Sequence, residues 1–399
     1  MSSERLYYTD AYLVEFDAVV RDVVQDGSRW KVVLDRTAFY PTSGGQPFDT
    51  GTLDQAAVVD VCDQEDGTIA HMVDRELEKN SRVRGHINWD RRFDHMQQHT
   101  GQHLLSAAFE REAGARTVSF HLGTAGATID LDKELSADVI ARVEDAANRV
   151  LWEDREVCVK FATAAEAAKL PLRKDPARDG ELRIVEINDY DMSACGGTHV
   201  ARTGAIGLVA ISSYERFKGG QRVEFVCGGR ALRAFRGFKS AVNGAVRLLS
   251  VLPEELPSAI EKLQTAGRGQ QKVQEGLQER LAVHEAARLA ATVEKIGGAS
   301  VVAAVVPGWD AAGLKKLASA IVTAPATIAV LLSSDLPALA VVARSTDLAL
   351  DTGVVLKKLI ERFGGKGGGK GPMAQGGGLT GEPRVILDAA RAEVASLVT

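Results

Sequence analysis

Four residues in two pairs carry the most specific chemistry in this 399-residue chain. His99 and His103 stand at i and i+4 in His99-Thr100-Gly101-Gln102-His103. The apolar run Leu104-Leu105-Ser106-Ala107-Ala108-Phe109 continues at helical spacing, so both imidazoles share one helix face. Cys195 and His199 have the same offset in Cys195-Gly196-Gly197-Thr198-His199, across a Gly-Gly loop that can wrap closely around an ion. Three imidazoles and one thiolate suit Zn²⁺, one ion per chain, and are too soft a set for an oxygen-loving cation. Thr100 follows His99, so the HExxH arrangement with its glutamate base is absent, and no paired CxxC marks a ribbon or finger.

The elements that must position these pairs follow from patterning. Residues 1–90 hold short alternating segments (Tyr12 to Val20, Trp30 to Leu34, Gly51 to Val61, His71 to Val73, Val83 to Ile87) with no helix between them. They predict an antiparallel β-barrel. Phe39-Tyr40-Pro41-Thr42-Ser43-Gly44-Gly45-Gln46-Pro47 interrupts them. Taken blandly it is a Gly/Pro turn; taken functionally it is a backbone-lined loop over a small substrate group, with Gln46 both donating and accepting.

Residues 91–252 predict an α+β domain. A helix begins near Arg91 to Asp94 and ends near Gly114, strands follow at Thr117 to Gly123 and Ala127 to Leu131, and Asp132 to Ala147 reads as an amphipathic helix. Glu156 to Phe161 is a strand, Lys169 to Gly180 a polar loop, and Leu182 to Ile187 a strand that turns through 188–192 into Cys195. Leu208 to Ser212 and Val223 to Val226 form a hairpin with Lys218 and Arg222 at a basic tip, and Arg230 to Ser250 closes the domain as a helix. Thr100 sits beside a ligand, its hydroxyl free either to meet a substrate or to bond back to the helix. Thr117 and Ser119 either read a substrate group or pack. Asp191 is read as a turn or cap residue before a partner for a ligand imidazole. His95 is read as solvated or supporting, and His71, His86 and His284 as surface residues.

Residues 253–295 repeat apolar positions at three- and four-residue steps, a helical arm or helix hairpin broken around Gly267-Arg268-Gly269. It would pair with a second copy or with an intrachain partner. Residues 296–399 are rich in Ala, Val and Gly, with strands at 300–306, 327–332 and 338–343 and helices at 311–322 and 352–363, a small α/β domain. Gly364 to Gly371, with Lys366 and Lys370, then reads as a loop; it is no Walker A motif, because Gly371 follows Lys370.

Composition sets outer bounds. With 45% hydrophobic and 25% charged residues the chain is ordinarily globular, and a net charge of -5 argues against non-specific nucleic-acid binding while allowing a local basic surface. No apolar stretch reaches the length of a membrane span, and residues 1–15 lack the pattern of a signal peptide. Cys62, Cys158, Cys195 and Cys227 show no disulfide spacing, so thiols in a reducing cytoplasm are expected, with no membrane partner. Cys227-Gly228-Gly229 repeats the ligand loop only superficially, because Ala231 stands where a histidine would.

HTGQHLLSAAF together with CGGTHV resembles the editing domain of alanyl-tRNA synthetases and their free-standing AlaX-type relatives, which hydrolyse mischarged tRNA. The resemblance implies zinc ligands His99, His103, Cys195 and His199. It turns Gly44, Gly45 and Gln46 into a segment leaning into the active site, with Gln46 as a catalytic candidate; Thr100 by its place beside a ligand and Thr117 by its place on a strand join it as a catalytic candidate and a substrate contact. The family's TGxIG and KGxxR elements are present, which implies that Lys218 and Arg222 grip the 3′ end of a tRNA. Pro372-Met373-Ala374-Gln375-Gly376-Gly377-Gly378, with the preceding glycines and Lys366 and Lys370, resembles the DHHA1 signature and implies contact with an RNA backbone. A DHH metal motif is missing, since Met96 follows Asp94-His95, and a class II aminoacylation core is not expected in the chain.

The implied protein is a long AlaX-type trans-editing enzyme that cleaves the ester joining serine, or glycine, to tRNA(Ala), with a homodimer through the arm or the last domain. Zinc would lower the pKa of a bound water or position the substrate; four protein ligands fill a tetrahedral shell and leave both open. The competing readings are a zinc-containing tRNA-binding module without catalysis and an editing subunit working with a separate synthetase.

Overall fold

The computed structural model describes residues 2–174 and 180–398, so residues 175–179 of the expected polar loop lie outside the described residues. The chain forms two compact units, Met1–Gly244 and Ala245–Thr399. The α+β class and the order of architectures expected above are the ones observed: closed barrel, α+β ligand-bearing domain, helical segment, small α/β domain.

The first unit opens with β1 (Glu4–Arg5), β2 (Glu15–Asp26), β3 (Arg29–Leu34), β4 (Arg36–Thr37), β5 (Gly51–Leu53), β6 (Ala56–Asp63), β7 (Ile69–Val73) and β8 (Arg82–Ile87). Six of these close a barrel in the order β2-β3-β7-β6-β5-β8, while β1 pairs in parallel with β4. Alternation turns Val20, Val32, Leu34, Val61 and Val73 inward. His71 is not a surface residue. It is buried with Thr37 Oγ1 at 2.8 Å and the Val32 carbonyl at 3.1 Å, and burial pushes its imidazole down to about 4.

Helix α1 (Trp89–Ala113) follows, started by the Asn88 side chain accepting from Arg91 N and ended by Gly114 in the left-handed region. It is buried along most of its length, sharing one core with Ile140, Val143 and Ala147 and with residues of the strands β9 (Thr117–Leu122) and β10 (Ala127–Leu131). Helix α2 (Ala137–Trp152) starts five residues later than expected from Asp132. The Asp132 carboxylate instead accepts from the Arg116 backbone at 2.9 Å and its guanidinium at 3.0 Å, which holds the chain in a turn. β11 (Val157–Thr163), the short α3 (Ala164–Ala167), β12 (Glu181–Ile187) and β13 (Asp191–Ala194) come next. The expected turn into Cys195 therefore contains a strand, β13, antiparallel to β12.

β14 (Val209–Phe217), β15 (Gly220–Cys227) and α4 (Gly228–Leu249) complete this part of the chain. The sheet β14-β15-β10-β9 packs Ile129, Val223 and Phe225 against Met96, Leu105 and Phe109 of α1. His95, on the same helix, is buried rather than solvated, with Nδ1 unpartnered among the described residues. Burial holds its imidazole at about 3.

In the second unit α5 (Leu256–Ala290) is one continuous helix across 267–269, where a break was expected. An exposed helical glycine costs about 1 kcal/mol relative to alanine, too little to stop a 35-residue helix. Its last turns pack Ala282, Ala286 and Leu289 onto Leu314, Leu317 and Ile321, whereas Ile260, Leu263, Val273 and Leu277 are exposed. β16 (Glu294–Ile296), β17 (Ala299–Val306), α6 (Ala311–Ile321), β18 (Thr327–Ser333), β19 (Ala338–Arg344), α7 (Thr352–Phe363), β20 (Lys366–Lys370), β21 (Met373–Leu379) and α8 (Pro383–Val398) follow. They build a six-stranded sheet, β16-β17-β18-β19-β21-β20, parallel only between β17 and β18. Lys366 to Lys370, expected as a loop, is thus the edge strand of a hairpin. No helix among the described residues is long and apolar enough to cross a membrane.

One fully buried pair joins α1 to the barrel. Arg92 donates to Asp49 Oδ2 from Nε (3.0 Å) and from Nη2 (2.5 Å), and to the carbonyls of Ala11 and Ala38. Asp49 in turn accepts from Tyr40 N at 2.7 Å, at the start of the Gly-Gly-Gln loop. Removing one partner of such a pair strands the other charge in the interior. Arg92→Met should therefore destabilise the first unit by about 3–5 kcal/mol, seen as an earlier urea midpoint by tryptophan fluorescence. An unchanged midpoint would show the pair to be dispensable.

Candidate metal centre

The ligand atoms of His99, His103, Cys195 and His199 all lie within 4.8 Å of one another. Cys195 Sγ is 3.4 Å from His99 Nε2 and 3.4 Å from His199 Nε2. That separation matches the edge of a tetrahedron with Zn–N and Zn–S bond lengths, roughly 3.5 Å. The donor set and its spacing fit a metal ion. His99 and His103 share the buried face of α1, one turn apart; Cys195 and His199 come from the loop that leaves β13.

Each imidazole has its second nitrogen engaged. His99 Nδ1 lies 2.8 Å from Gln46 Oε1, His103 Nδ1 lies 3.2 Å from Asp191 Oδ2, and His199 Nδ1 lies 3.2 Å from Thr100 Oγ1. Such partners fix ring orientation and leave Nε2 for the ion. Gln46 is completely buried, donates to Thr198 Oγ1 at 2.8 Å and accepts from Thr198 N at 3.2 Å. Its amide thus ties the barrel loop to both halves of the cluster. Thr100 also accepts from Val200 N at 3.1 Å, so its hydroxyl neither returns to its own helix nor faces the cavity.

Burial resists ionisation of Cys195, yet the imidazoles of His99 and His199 outweigh it and hold the thiol well below its usual range. A thiolate is the form a metal needs. Burial pushes His199 down to about 3, which keeps its lone pair free. For His103 burial acts downward too, but the Asp191 carboxylate and Cys195 prevail and raise it to about 9, so an ion entering the cluster must displace a proton from its Nε2. Asp191 moves oppositely: burial raises it, and His103 and Arg173 bring it to about 2. Arg173 Nε donates to Asp191 Oδ1 at 2.7 Å, so this carboxylate is a partner for a ligand rather than the turn or cap residue preferred from sequence.

Two residues shape the ligand loop. Arg183, from β12, donates to the carbonyls of Cys195 (2.7 Å) and Gly197 (2.9 Å). A side chain at Gly197 would put Cβ 2.2 Å from His99 Cε1, so the loop approaches the imidazole only with glycine there.

The cluster opens on a cavity of about 330 Å³ lined by Tyr40, Gly44, Gln102, Thr117, Phe120 and Gly196, among others. Phe120 stacks on His99 with ring centroids 5.3 Å apart. Gly44 and Thr117 line this cavity; Gly45 instead uses its carbonyl to accept from Leu122 N at 3.1 Å. Lys218 is exposed at the hairpin turn, while Arg222 is committed to Asp130 through bonds of 2.7 and 2.9 Å. Lys366 and Lys370 are exposed on β20 of the second unit. Sequence reasoning did not single out Gln102, Ser106, Arg173 or Arg183; only the position of Gln102 between the two histidines hinted at the cavity.

The family description "Threonyl and Alanyl tRNA synthetase second additional domain" matches residues 182–224, "tRNA synthetases class II (A)" matches 3–91, and "DHHA1 domain" matches 298–396. The class II match falls on the stretch that forms the closed barrel. Alanyl-tRNA editing protein AlaX-L of Pyrococcus horikoshii is 32% identical over 402 residues, 97% of this chain and 97% of that protein. The alanine–tRNA ligases of Pyrococcus abyssi and Methanosarcina acetivorans are 34% and 32% identical over 93% and 97% of this chain. The chain spans only 41% and 43% of those ligases. The C-Ala domain of Aquifex aeolicus alanyl-tRNA synthetase aligns at a TM-score of 0.25 and 18% identity, over 27% of this chain and 96% of that one.

If the carboxylate at His103 supports the site, its loss weakens metal binding without emptying the ligand set. Asp191→Ala should bind zinc about 10- to 100-fold less tightly in a chelator competition. Equal affinity would leave Asp191 a purely structural acid.

Proposed function

We propose a function on one premise: the chain belongs to the AlaX-type family of alanyl-tRNA editing proteins, which it matches over nearly its whole length. The protein is a hydrolase. It cleaves the ester between a wrongly attached serine, or glycine, and the terminal ribose of tRNA(Ala), using one Zn²⁺ per chain. The observation that carries this reading is a buried His-His-Cys-His cluster opening on a cavity of small-ligand size. Serine and alanine differ by one small hydroxyl, which an activating pocket rejects poorly, so a second hydrolytic site is the chemical remedy.

His99, His103, Cys195 and His199 hold the ion, which supplies fixed positive charge and Lewis acidity beside the ester. The chain's own residues do the rest. Gln46, Asp191 and Thr100 keep the three Nδ1 positions occupied and the rings aimed, so they are positioning residues. Gly44 offers backbone close to the substrate, and Phe120 and Tyr40 exclude water from the wall of the cavity. Gly45 shapes that loop, and Thr117 faces the aminoacyl group. Lys218 contacts the tRNA near its 3′ end; Arg222, held by Asp130, organises the hairpin beside it. Lys366 and Lys370 meet the phosphate backbone, and the exposed stripe on α5 serves a second copy of the chain.

Purified zinc-loaded protein should deacylate Ser-tRNA(Ala) and spare Ala-tRNA(Ala), and Cys195→Ala should lose most of its zinc together with this activity. Zinc-loaded protein that binds tRNA but leaves the seryl ester intact would turn the reading into a binding module.

A second test concerns the last domain. Replacing Lys366 and Lys370 by glutamate should weaken binding to full-length tRNA and flatten its salt dependence, because phosphate contacts release counterions. Hydrolysis of a seryl acceptor-stem minihelix should be retained. Unaltered affinity for full-length tRNA would remove these lysines from the interface.

A further inference from the structure

The rim of the cavity carries a charge pattern that the metal site leaves unused. Gln102 and His103 are buried at the cavity floor, whereas Val118, Ser119, Lys174 and Ala194 are exposed at its edge. Among the described residues no aspartate or glutamate lines the cavity, and its cationic side chains, the ligand histidines aside, are Arg173 and Lys174. The chain as a whole has a net charge of -5, so this rim runs against the general trend. Two adjacent cations without a lining carboxylate favour a negative group there.

The two residues are prepared differently. Arg173 is fixed: its backbone N–H donates to the Met192 carbonyl at 2.8 Å, its Nε to Asp191 Oδ1 at 2.7 Å and its Nη2 to Ser193 Oγ at 3.0 Å. Its Nη1 has no partner among the described residues and is not sealed from solvent. Lys174 is exposed and forms no ion pair among the described residues. Asp191 is shared between Arg173 and the ligand His103, so one carboxylate stands against two cations and an imidazole. A planar fork held in place and a compact charge on a flexible stem together suit a tetrahedral oxyanion.

We propose that Arg173 and Lys174 bind the phosphate that joins the terminal nucleotide of the RNA to the rest of its chain. The ester lies on one side of the terminal ribose, and this phosphate on the other, at the 5′ carbon. With the ester beside the metal cluster at the floor, the phosphate is carried one ribose outward, to the rim. At about 330 Å³ the cavity is at the small end of ligand sites, so the RNA backbone meets it at the edge. This inference rests on the hydrolase reading above and adds the place where the end of the RNA is gripped.

The test uses full-length zinc-loaded protein and two unreactive mimics of the substrate end: adenosine carrying serine in amide linkage at the 3′ position, with and without a 5′-phosphate. In a calorimetric titration the phosphorylated mimic should bind at least about tenfold more tightly, the effect of one charge-assisted hydrogen bond. The gap should narrow as salt is raised. Lys174→Met should reduce it to about threefold or less, Lys174→Glu should abolish or reverse it, and Lys174→Arg should keep most of it, with zinc content unchanged in each. Equal affinity of the wild type for the two mimics overturns the proposal without needing any variant. So does an unreduced gap in Lys174→Glu. Binding of neither mimic to the wild type counts against the cavity as the aminoacyl site, and so against the hydrolase reading itself, a distinct result.

Discussion

An imidazole that binds a metal through one nitrogen must satisfy the other, and this requirement organises the first unit. The three partners come from three places: Gln46 from the barrel loop, Asp191 from β13 and Thr100 from α1 itself. Each is buried, so each bond is made at low dielectric and would be costly to leave open. The barrel is therefore part of the metal site even though it supplies no ligand. Its loop arrives at His99 because Asp49, nine residues after Tyr40, is clamped by Arg92 one helix turn and more before the first ligand.

The same logic explains why the two ligand pairs differ in kind. A helix gives two imidazoles at fixed spacing but cannot bring a third and fourth donor around an ion. The second pair needs a loop, and a loop needs to be held. Arg183 holds it through two carbonyls, β13 delivers it from the sheet, and Gly197 lets it approach the His99 ring. The charge balance follows the geometry. The imidazoles draw down the Cys195 thiol, and the thiolate and Asp191 hold His103 up.

What could be read from residue order was local. The paired offsets at 99/103 and 195/199 exposed the cluster, alternation exposed the barrel, and short apolar runs exposed three of the six strands of the last sheet. Contacts between segments distant in order were out of reach. Gln46 was expected to point at a substrate, and the structure turns its amide toward His99 and Thr198 instead. Asp191 looked like a turn residue because nothing in Asp189-Tyr190-Asp191 reveals that His103 lies across from it. His71 and His95 carry no local mark of burial either. The helix break at 267–269 failed for a different reason: glycine weighs on a helix by about 1 kcal/mol, and the packed last turns of α5 outweigh that.

The glycine run of the second unit shows how one composition serves two demands. Read in order it resembles a loop with free backbone amides. In the fold, a Cβ at Gly367 would sit 2.4 Å from the Gly376 Cα, and one at Gly353 would sit 2.4 Å from the Gly369 carbonyl oxygen. Those glycines are required by close packing of a hairpin and a helix, before any ligand is considered. β20 is nevertheless an edge strand, and an edge must be kept from pairing with a neighbouring molecule. Lys366 and Lys370 at its two ends do that by charge. The same side-chain-poor edge flanked by two cations is what the proposed contact with a phosphate backbone draws on, since a polyanion meets little steric bulk there and two positive charges.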